Sequence, residues 1–229
     1  MTGQPIFRTE LKYRVSPLQK ELLLHRLSAA LTPDPHGDGG RYTVRTLYFD
    51  SPYDSSLRDN LSGNPNRSKY RLRMYDGDDT HLRLEKKVKH GLGGFKNGVW
   101  ISRTQCLALL GGDTDWLRQT DDPFLLECYG CAQSGFLRPS CVVAYERTAF
   151  ECIPGNVRIT LDSHIRASER CELFLHTQGA GVPVDPDDAC VLEIKFDRFL
   201  PDYIAHLVGV GDMPLQAFSK FAHGKLMEY

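Results

Sequence analysis

"SKYRLRMYD", residues 68–76, sets Lys69, Arg71 and Arg73 at alternate positions with Tyr70, Leu72 and Met74 between them. Side chains of a β-strand point to opposite faces with period two. Read as a strand, the stretch puts three cations on one face and three large apolar or amphipathic groups on the other. A sheet lined with like charges needs something to offset them.

The same alternation recurs along the chain. In "FRTELKYRV" (7–15), Arg8, Glu10, Lys12 and Arg14 oppose Phe7, Leu11, Tyr13 and Val15. In "HLRLEKKVK" (81–89), Arg83, Glu85, Lys87 and Lys89 oppose Leu82, Leu84 and Val88; in "VRITLD" (157–162), Arg158, Thr160 and Asp162 oppose Val157, Ile159 and Leu161. In "VLEIK" (191–195), Glu193 and Lys195 stand opposite Leu192 and Ile194, and in "AYERT" (144–148) Tyr145 and Arg147 share a face. One strand of this kind is explained by a half-exposed antiparallel sheet. As a set, the polar faces carry Arg, Lys and Glu rather than Thr, Ser and Gln, which favours faces turned inward as a cationic barrel lumen.

Small barrels fill their interiors or enclose a ligand. Facing cations repel strongly at reduced dielectric unless a polyanion occupies the space. A phosphate chain supplies that charge, with Arg forks binding its oxygens in pairs and Lys acting as a point charge. Glu10, Glu85 and Glu193 are candidates for holding a divalent cation, which prefers carboxylate and phosphate oxygens.

The remaining pattern is α+β. After the first strand, Ser16 and Pro17 give an N-cap and first-turn proline for a helix through about Leu31, ended by "TPDPHGDGG". "RYTVRTLYFD" (41–50) reads as a strand, "SPYDSSLRDNLSG" (51–63) as a short helix or turn, and residues 68–90 as a hairpin. "GLGGFKNG" leads into the strand "VWIS" (99–102), followed by helices around Thr104 to Leu110 and Pro123 to Gly135. Strands return in "CVVAYERTAFEC" (141–152), "VRITLDSHIRAS" (157–168), "ELFLH" (172–176) and "ACVLEIKFD" (189–197), and helices at Pro201 to Val208 and Leu215 to Met227 close the chain. Eight or so strands with turn-like connections indicate one antiparallel sheet or barrel carrying helices, a single domain over 1–229.

Net charge is −1, which argues against a polycation that coats nucleic acid. The basic residues are local: between Lys69 and Lys89 seven cations face four acids. No apolar run approaches the ~20 residues that span a bilayer, and "MTGQPIFRTE" lacks a signal-peptide core, so the expectation is a cytoplasmic protein. Seven cysteines without regular spacing fit reduced thiols, and Cys128 and Cys131 of "CYGC" lie within a helix, outside any zinc or redox context. "GLGG" lacks the ending of a P-loop, the histidines show no metal-ligand spacing, and Asp187 and Asp188 read as solvated loop residues.

The motifs "RTELKY" (8–13), "LYFD" (47–50), "YRLRMY" (70–75), "LEKKVK" (84–89), "AYERTAF" (144–150), "VRITLD", "LEIKF" (192–196) and "SKF" (219–221) together resemble the VTC domain. This is the catalytic domain of polyphosphate polymerases, within the triphosphate tunnel metalloenzyme superfamily, and the resemblance runs from Phe7 to Leu226. It implies an eight-stranded antiparallel β-barrel with helices outside and a basic lumen for ATP, triphosphate or polyphosphate. A divalent metal, Mn²⁺ or Mg²⁺, is implied as cofactor. Matching the motifs residue by residue, the phosphate clamp falls on Lys12, Arg71, Arg73, Lys87, Arg147, Arg158 and Lys220. Lys89, Tyr145, Lys195 and Ser219 become further substrate contacts, and Glu193, with Glu10 and Glu85, the metal ligands.

Two departures stand out. Arg8 replaces the first glutamate of the ExExK pattern of many relatives, as in VTC-like members, which argues against a two-metal hydrolase. "FKNGVW" (95–100) keeps only Lys96 where bacterial relatives carry a basic run. The regulatory SPX domain and membrane helices of the eukaryotic complex have no counterpart in the sequence. The implied activity is ATP-dependent polyphosphate synthesis, with two rivals: a tripolyphosphate or nucleoside triphosphate hydrolase on the same fold, and a non-catalytic polyanion receptor acting through an unknown protein partner. RNA binding is disfavoured because the aromatic stacking motif is missing.

Overall fold

Ser16 ends one element and starts the next. In the computed structural model, which describes residues 8–91, 93–176, 181–211 and 213–226, strand β1 (Thr9–Val15) runs directly into helix α1 (Pro17–Ala30). The Ser16 hydroxyl accepts from Gln19 N at 3.2 Å while Gln19 Oε1 accepts from Ser16 N at 2.8 Å, satisfying two amides that the helix itself leaves open. The chain continues through β2 (Thr32–Pro33), β3 (Arg41–Asp50), α2 (Ser55–Leu61), β4 (Asn66–Tyr75), β5 (Leu82–His90), β6 (Gly93–Ile101), α3 (Arg103–Leu110) and α4 (Pro123–Gln133). It then forms β7 (Arg138–Cys152), β8 (Val157–Ser168), β9 (Val182–Pro183), β10 (Cys190–Phe196), α5 (Asp202–Val208) and α6 (Lys220–Leu226).

The strands hydrogen-bond in the order β1-β10-β8-β7-β3-β4-β5-β6, with β2 beside β7 and β9 beside β8. This corrects the expected eight-stranded closed barrel: the sheet has ten strands among the described residues and is not closed. The two extra strands are two residues long and each ends in proline, whose missing N–H stops a ladder. None of the helices formed by the described residues is long and apolar enough to cross a membrane.

Two compact units arise from this topology. The first takes the chain up to Tyr42 with Tyr145–Ile165 and Asp185–Phe218. Its core packs Leu23, Leu24 and Leu27 of α1 and Ile204 and Val208 of α5 on Tyr13, Val15, Ile159, Leu161, Leu192 and Ile194. Each such side chain, once fully buried, contributes roughly 1.5–3 kcal/mol of transfer free energy. The second unit takes Thr43–Ala144, Arg166–Val184 and Ser219 onward. There Cys106 and Leu109 of α3 and Phe124 and Cys128 of α4 pack on Leu47, Phe49, Tyr70, Leu72, Met74, Leu82 and Leu84. In both units helices cover the apolar strand face, and the other face is left to the charged residues.

Three local expectations change. "ELFLH" is a 3-10 turn, Cys171–Leu175, because Phe174 sits in the second unit's core and the Leu173 and Phe174 carbonyls accept from Arg45 Nη1 at 3.2 and 3.4 Å. β6 begins at Gly93, earlier than "VWIS". Glycine is what permits this: a Cβ on Gly98 would lie 2.4 Å from Leu84 O, so from Gly93 onward the stretch is a strand packed close on β5. The last helix starts at Lys220 rather than Leu215; its expected end at Met227, like the expected strand start at Phe7, lies outside the described residues.

Candidate anion-binding site

In the first unit, β1, β10 and β8 bring alternate residues into rows on the polar face. Glu10 stands opposite Lys195 and Lys195 opposite Arg158; Lys12 stands opposite Glu193 and Glu193 opposite Thr160. Lys12 Nζ contacts Glu10 Oε1 at 2.6 Å and Glu193 Oε2 at 3.5 Å, and donates to Phe218 O at 3.4 Å. Lys195 pairs with the other oxygen of Glu193. Burial would depress the Lys12 ammonium, but Glu193 and Glu10 outweigh it and hold it above the ordinary lysine range.

Two arginines complete this face. Arg147 grips Asp162 with both prongs, Nε to Oδ1 at 2.7 Å and Nη2 to Oδ2 at 2.9 Å, and its guanidinium lies 5.3 Å from the Tyr145 ring. Arg158 Nη2 donates to Tyr42 Oη at 2.9 Å and pairs with Asp34. Asp34 is buried and accepts from His36 N at 2.9 Å; burial would raise its carboxyl, but the His36 bonds and Arg158 hold it below the usual range. Thr160 Oγ1, across from Glu193, is buried with no hydrogen-bond partner among the described residues.

The second unit carries rows of a different kind. Lys69 of β4 stands opposite Lys87 of β5, which stands opposite Lys96 of β6; Arg73 stands opposite Arg83, and Arg67 opposite Lys89. Like charges directly across a ladder are destabilising. Glu85 interrupts them, opposite Arg71 and only 1% exposed. It accepts from Arg71 Nε at 2.9 Å and Lys96 Nζ at 2.9 Å, with Arg73 Nε at 3.9 Å. Burial would raise its carboxyl, but Arg71, Arg73 and Lys96 bring it down to about 2. Ser219 accepts from Lys69 Nζ at 3.1 Å, and Lys220 opens α6.

Of the residues expected from sequence, Lys12, Glu10, Glu193, Lys195, Arg147, Arg158 and Tyr145 therefore lie in the first unit. Arg71, Arg73, Lys87, Lys89, Glu85, Ser219 and Lys220 lie in the second. The geometry adds Asp162, Asp34, Tyr42, Lys69 and Arg83. Asp162 already belonged to a polar strand face, and Lys69 to the opening motif. Asp34, in a stretch that reads as a helix stop, carries no sequence signal for its contact with Arg158. Asp185 and Asp187 hold Arg14, and Asp188 pairs with His164, so the acidic loop is tied to the sheet. The described cysteines are all free; burial pushes the Cys106 thiol up to about 12 and Cys128 above its ordinary range, which keeps both protonated.

Antiparallel strands with one charged and one helix-covered face make this an α+β protein built on one large sheet. Two solved structures are similar to the chain in fold. One is a candidate adenylate cyclase from Bacillus halodurans, 14% identical, aligned over 93% of this chain and 94% of that one with a TM-score of 0.54. The other is a candidate adenylyl cyclase from Hippeastrum described as having a dominant triphosphatase activity, 16% identical over 93% and 92% with a TM-score of 0.53. A comparison with curated proteins gives no match. The chain belongs to the VTC domain family, whose model matches residues 7–229.

Proposed function

We propose that the protein binds triphosphate and polyphosphate on its cationic strand faces and, with a divalent metal, transfers the γ-phosphate of ATP to a growing polyphosphate chain. The observation that carries this reading is the like-charged register of β4, β5 and β6: Lys69, Lys87 and Lys96 in one row, Arg73 and Arg83 in another. A polyanion converts that repulsion into attraction.

A metal fits the first unit's donor set. Glu10 and Glu193 converge on one ammonium, and the orphaned Thr160 hydroxyl faces Glu193. No group of three or more His, Cys, Asp or Glu suited to a metal occurs among the described residues. A hard cation of the Mg²⁺ kind takes one or two carboxylates and draws its remaining oxygens from substrate phosphates, and Glu10 and Glu193 are the carboxylates offered here. When bound, such a cation supplies charge neutralisation at the transferring phosphoryl group.

The protein's own groups do the positioning, which is most of what phosphoryl transfer requires. Arg147 and Arg158, held by Asp162 and by Asp34 with Tyr42, present their remaining N–H groups to phosphate oxygens. Lys12 and Lys195 add point charges in the first unit, and Lys87, Lys89 and Lys220 do so on the second unit's own face. Glu85 keeps Arg71 aligned, a supporting role beside the metal-binding one its carboxylate suggested in sequence.

Incubation with ATP and Mn²⁺ tests the proposal. Chains growing on a gel support it; free phosphate without chains would replace it by hydrolysis, in which water attacks and Glu10 or Glu85 is the candidate base. Tight binding without turnover would make the protein a receptor.

A further inference from the structure

Trp100 of β6 stands directly opposite Arg83 of β5, and Arg83 opposite Arg73 of β4. Directly paired residues share a sheet face. The indole therefore belongs to the same face as Arg71, Lys69, Lys87 and Lys96, all within the second unit. It is 58% exposed, so one face of the ring is open to a ligand.

Its orientation is fixed from two sides. The Arg83 guanidinium lies 5.0 Å from the ring centroid, within cation–π range, and the His81 ring meets it edge-on at 6.3 Å and 89°. A held but exposed indole beside rows of cations is a stacking platform, because every nucleobase has a π-face and aromatic stacking is tolerant of sequence. Inorganic triphosphate offers such a ring nothing.

The strand also sets a direction. Trp100, Gly98 and Lys96 are alternate residues of β6 on this face, so Lys96 stands roughly 14 Å from Trp100 along the strand. Between them Gly98 carries no side chain and packs close against Glu85. A ligand with a flat ring at one end and phosphates at the other follows the direction from Trp100 to Lys96.

We infer that Trp100, seated on Arg83, is the base-stacking residue of a nucleoside triphosphate site on this face. The inference rests on the reading above that the cationic rows bind phosphate.

The test uses the full chain with Trp116→Phe, which leaves Trp100 as the sole tryptophan emitter of the two. ATP with Mg²⁺ is expected to quench its fluorescence saturably, and tripolyphosphate with Mg²⁺ to leave it unchanged. Trp100→Ala is expected to weaken ATP binding by about 5- to 150-fold, the equivalent of ~1–3 kcal/mol of stacking, with tripolyphosphate affinity unaltered; Trp100→Phe should regain most of the loss. Unaltered tripolyphosphate binding also shows that the variant is folded. Equal ATP affinity in wild type and Trp100→Ala, or a parallel loss for both ligands, overturns the inference alone. If neither ligand binds the wild-type chain, the phosphate reading falls and the inference with it.

Discussion

Arg147 and Asp162 form a two-pronged pair in which the carboxylate is fully buried and the guanidinium nearly so, Nε to Oδ1 at 2.7 Å and Nη2 to Oδ2 at 2.9 Å. Burial alone would depress the arginine, yet Asp162 outweighs it and keeps the group charged. The pair fixes the plane of the guanidinium, and with it the direction of the N–H groups left over for a ligand.

Arg147→Ala removes the two-pronged partner of the buried Asp162 carboxylate. Unfolding by urea should show a loss of up to about 3–5 kcal/mol. Arg147→Ala with Asp162→Asn should recover part of it, since the second change removes the buried charge. A single variant as stable as wild type would contradict the pairing.

Glu85 makes stability depend on pH. Its carboxyl titrates near 4.5 when free and near 2 in the fold. A depressed folded value means the stabilisation is complete above about pH 4.5 and is lost as pH falls toward 2. At ~1.4 kcal/mol per pKa unit it amounts to about 3 kcal/mol. Glu85→Gln should therefore be less stable than wild type at neutral pH, with the gap closing between pH 4.5 and 2 in denaturant titrations. A gap that persists at pH 2 would assign the loss to packing.

Glu193 sits between Lys12 and Lys195. If it is a metal ligand, Glu193→Gln should weaken Mn²⁺ binding in the presence of tripolyphosphate by on the order of tenfold or more, since even changes to residues that only support a ligand cost that much. Electron paramagnetic resonance of Mn²⁺ reads this directly. An unchanged titration moves the metal elsewhere.

Gly98→Ala would place a methyl 2.4 Å from Leu84 O and 3.2 Å from Glu85 Cγ. β6 must then move off β5. Overpacking of this kind costs about 1–3 kcal/mol, and the displaced Glu85 should lower tripolyphosphate affinity as well. Thermal unfolding and calorimetric binding together check the two effects; wild-type values in both would mean the strands have room.

The alternation in "SKYRLRMYD" was legible because strand geometry is local: Tyr70, Leu72 and Met74 are buried, and Lys69, Arg71 and Arg73 share the other face. The same holds for Leu82 and Leu84 against Arg83 and Glu85. What pattern alone does not carry is which distant group meets a given arginine. Arg158 meets Asp34 and Tyr42 through chain separations of more than a hundred residues, and no periodicity encodes that. "ELFLH" misleads for a related reason. Its composition suits a strand, but one buried phenylalanine and two carbonyls claimed by Arg45 settle it as a turn.

Lys12 pairs with Glu193 because the strand that opens the fold hydrogen-bonds to the last one formed. On a ribosome the two partners are made far apart in time, and joining them closes a very long loop, the slow and entropically costly kind. A nascent chain thus holds Lys12 with Glu10 alone until β10 has emerged. Chains cut short before β10 would lack Glu193 and its pairing with Lys12 altogether.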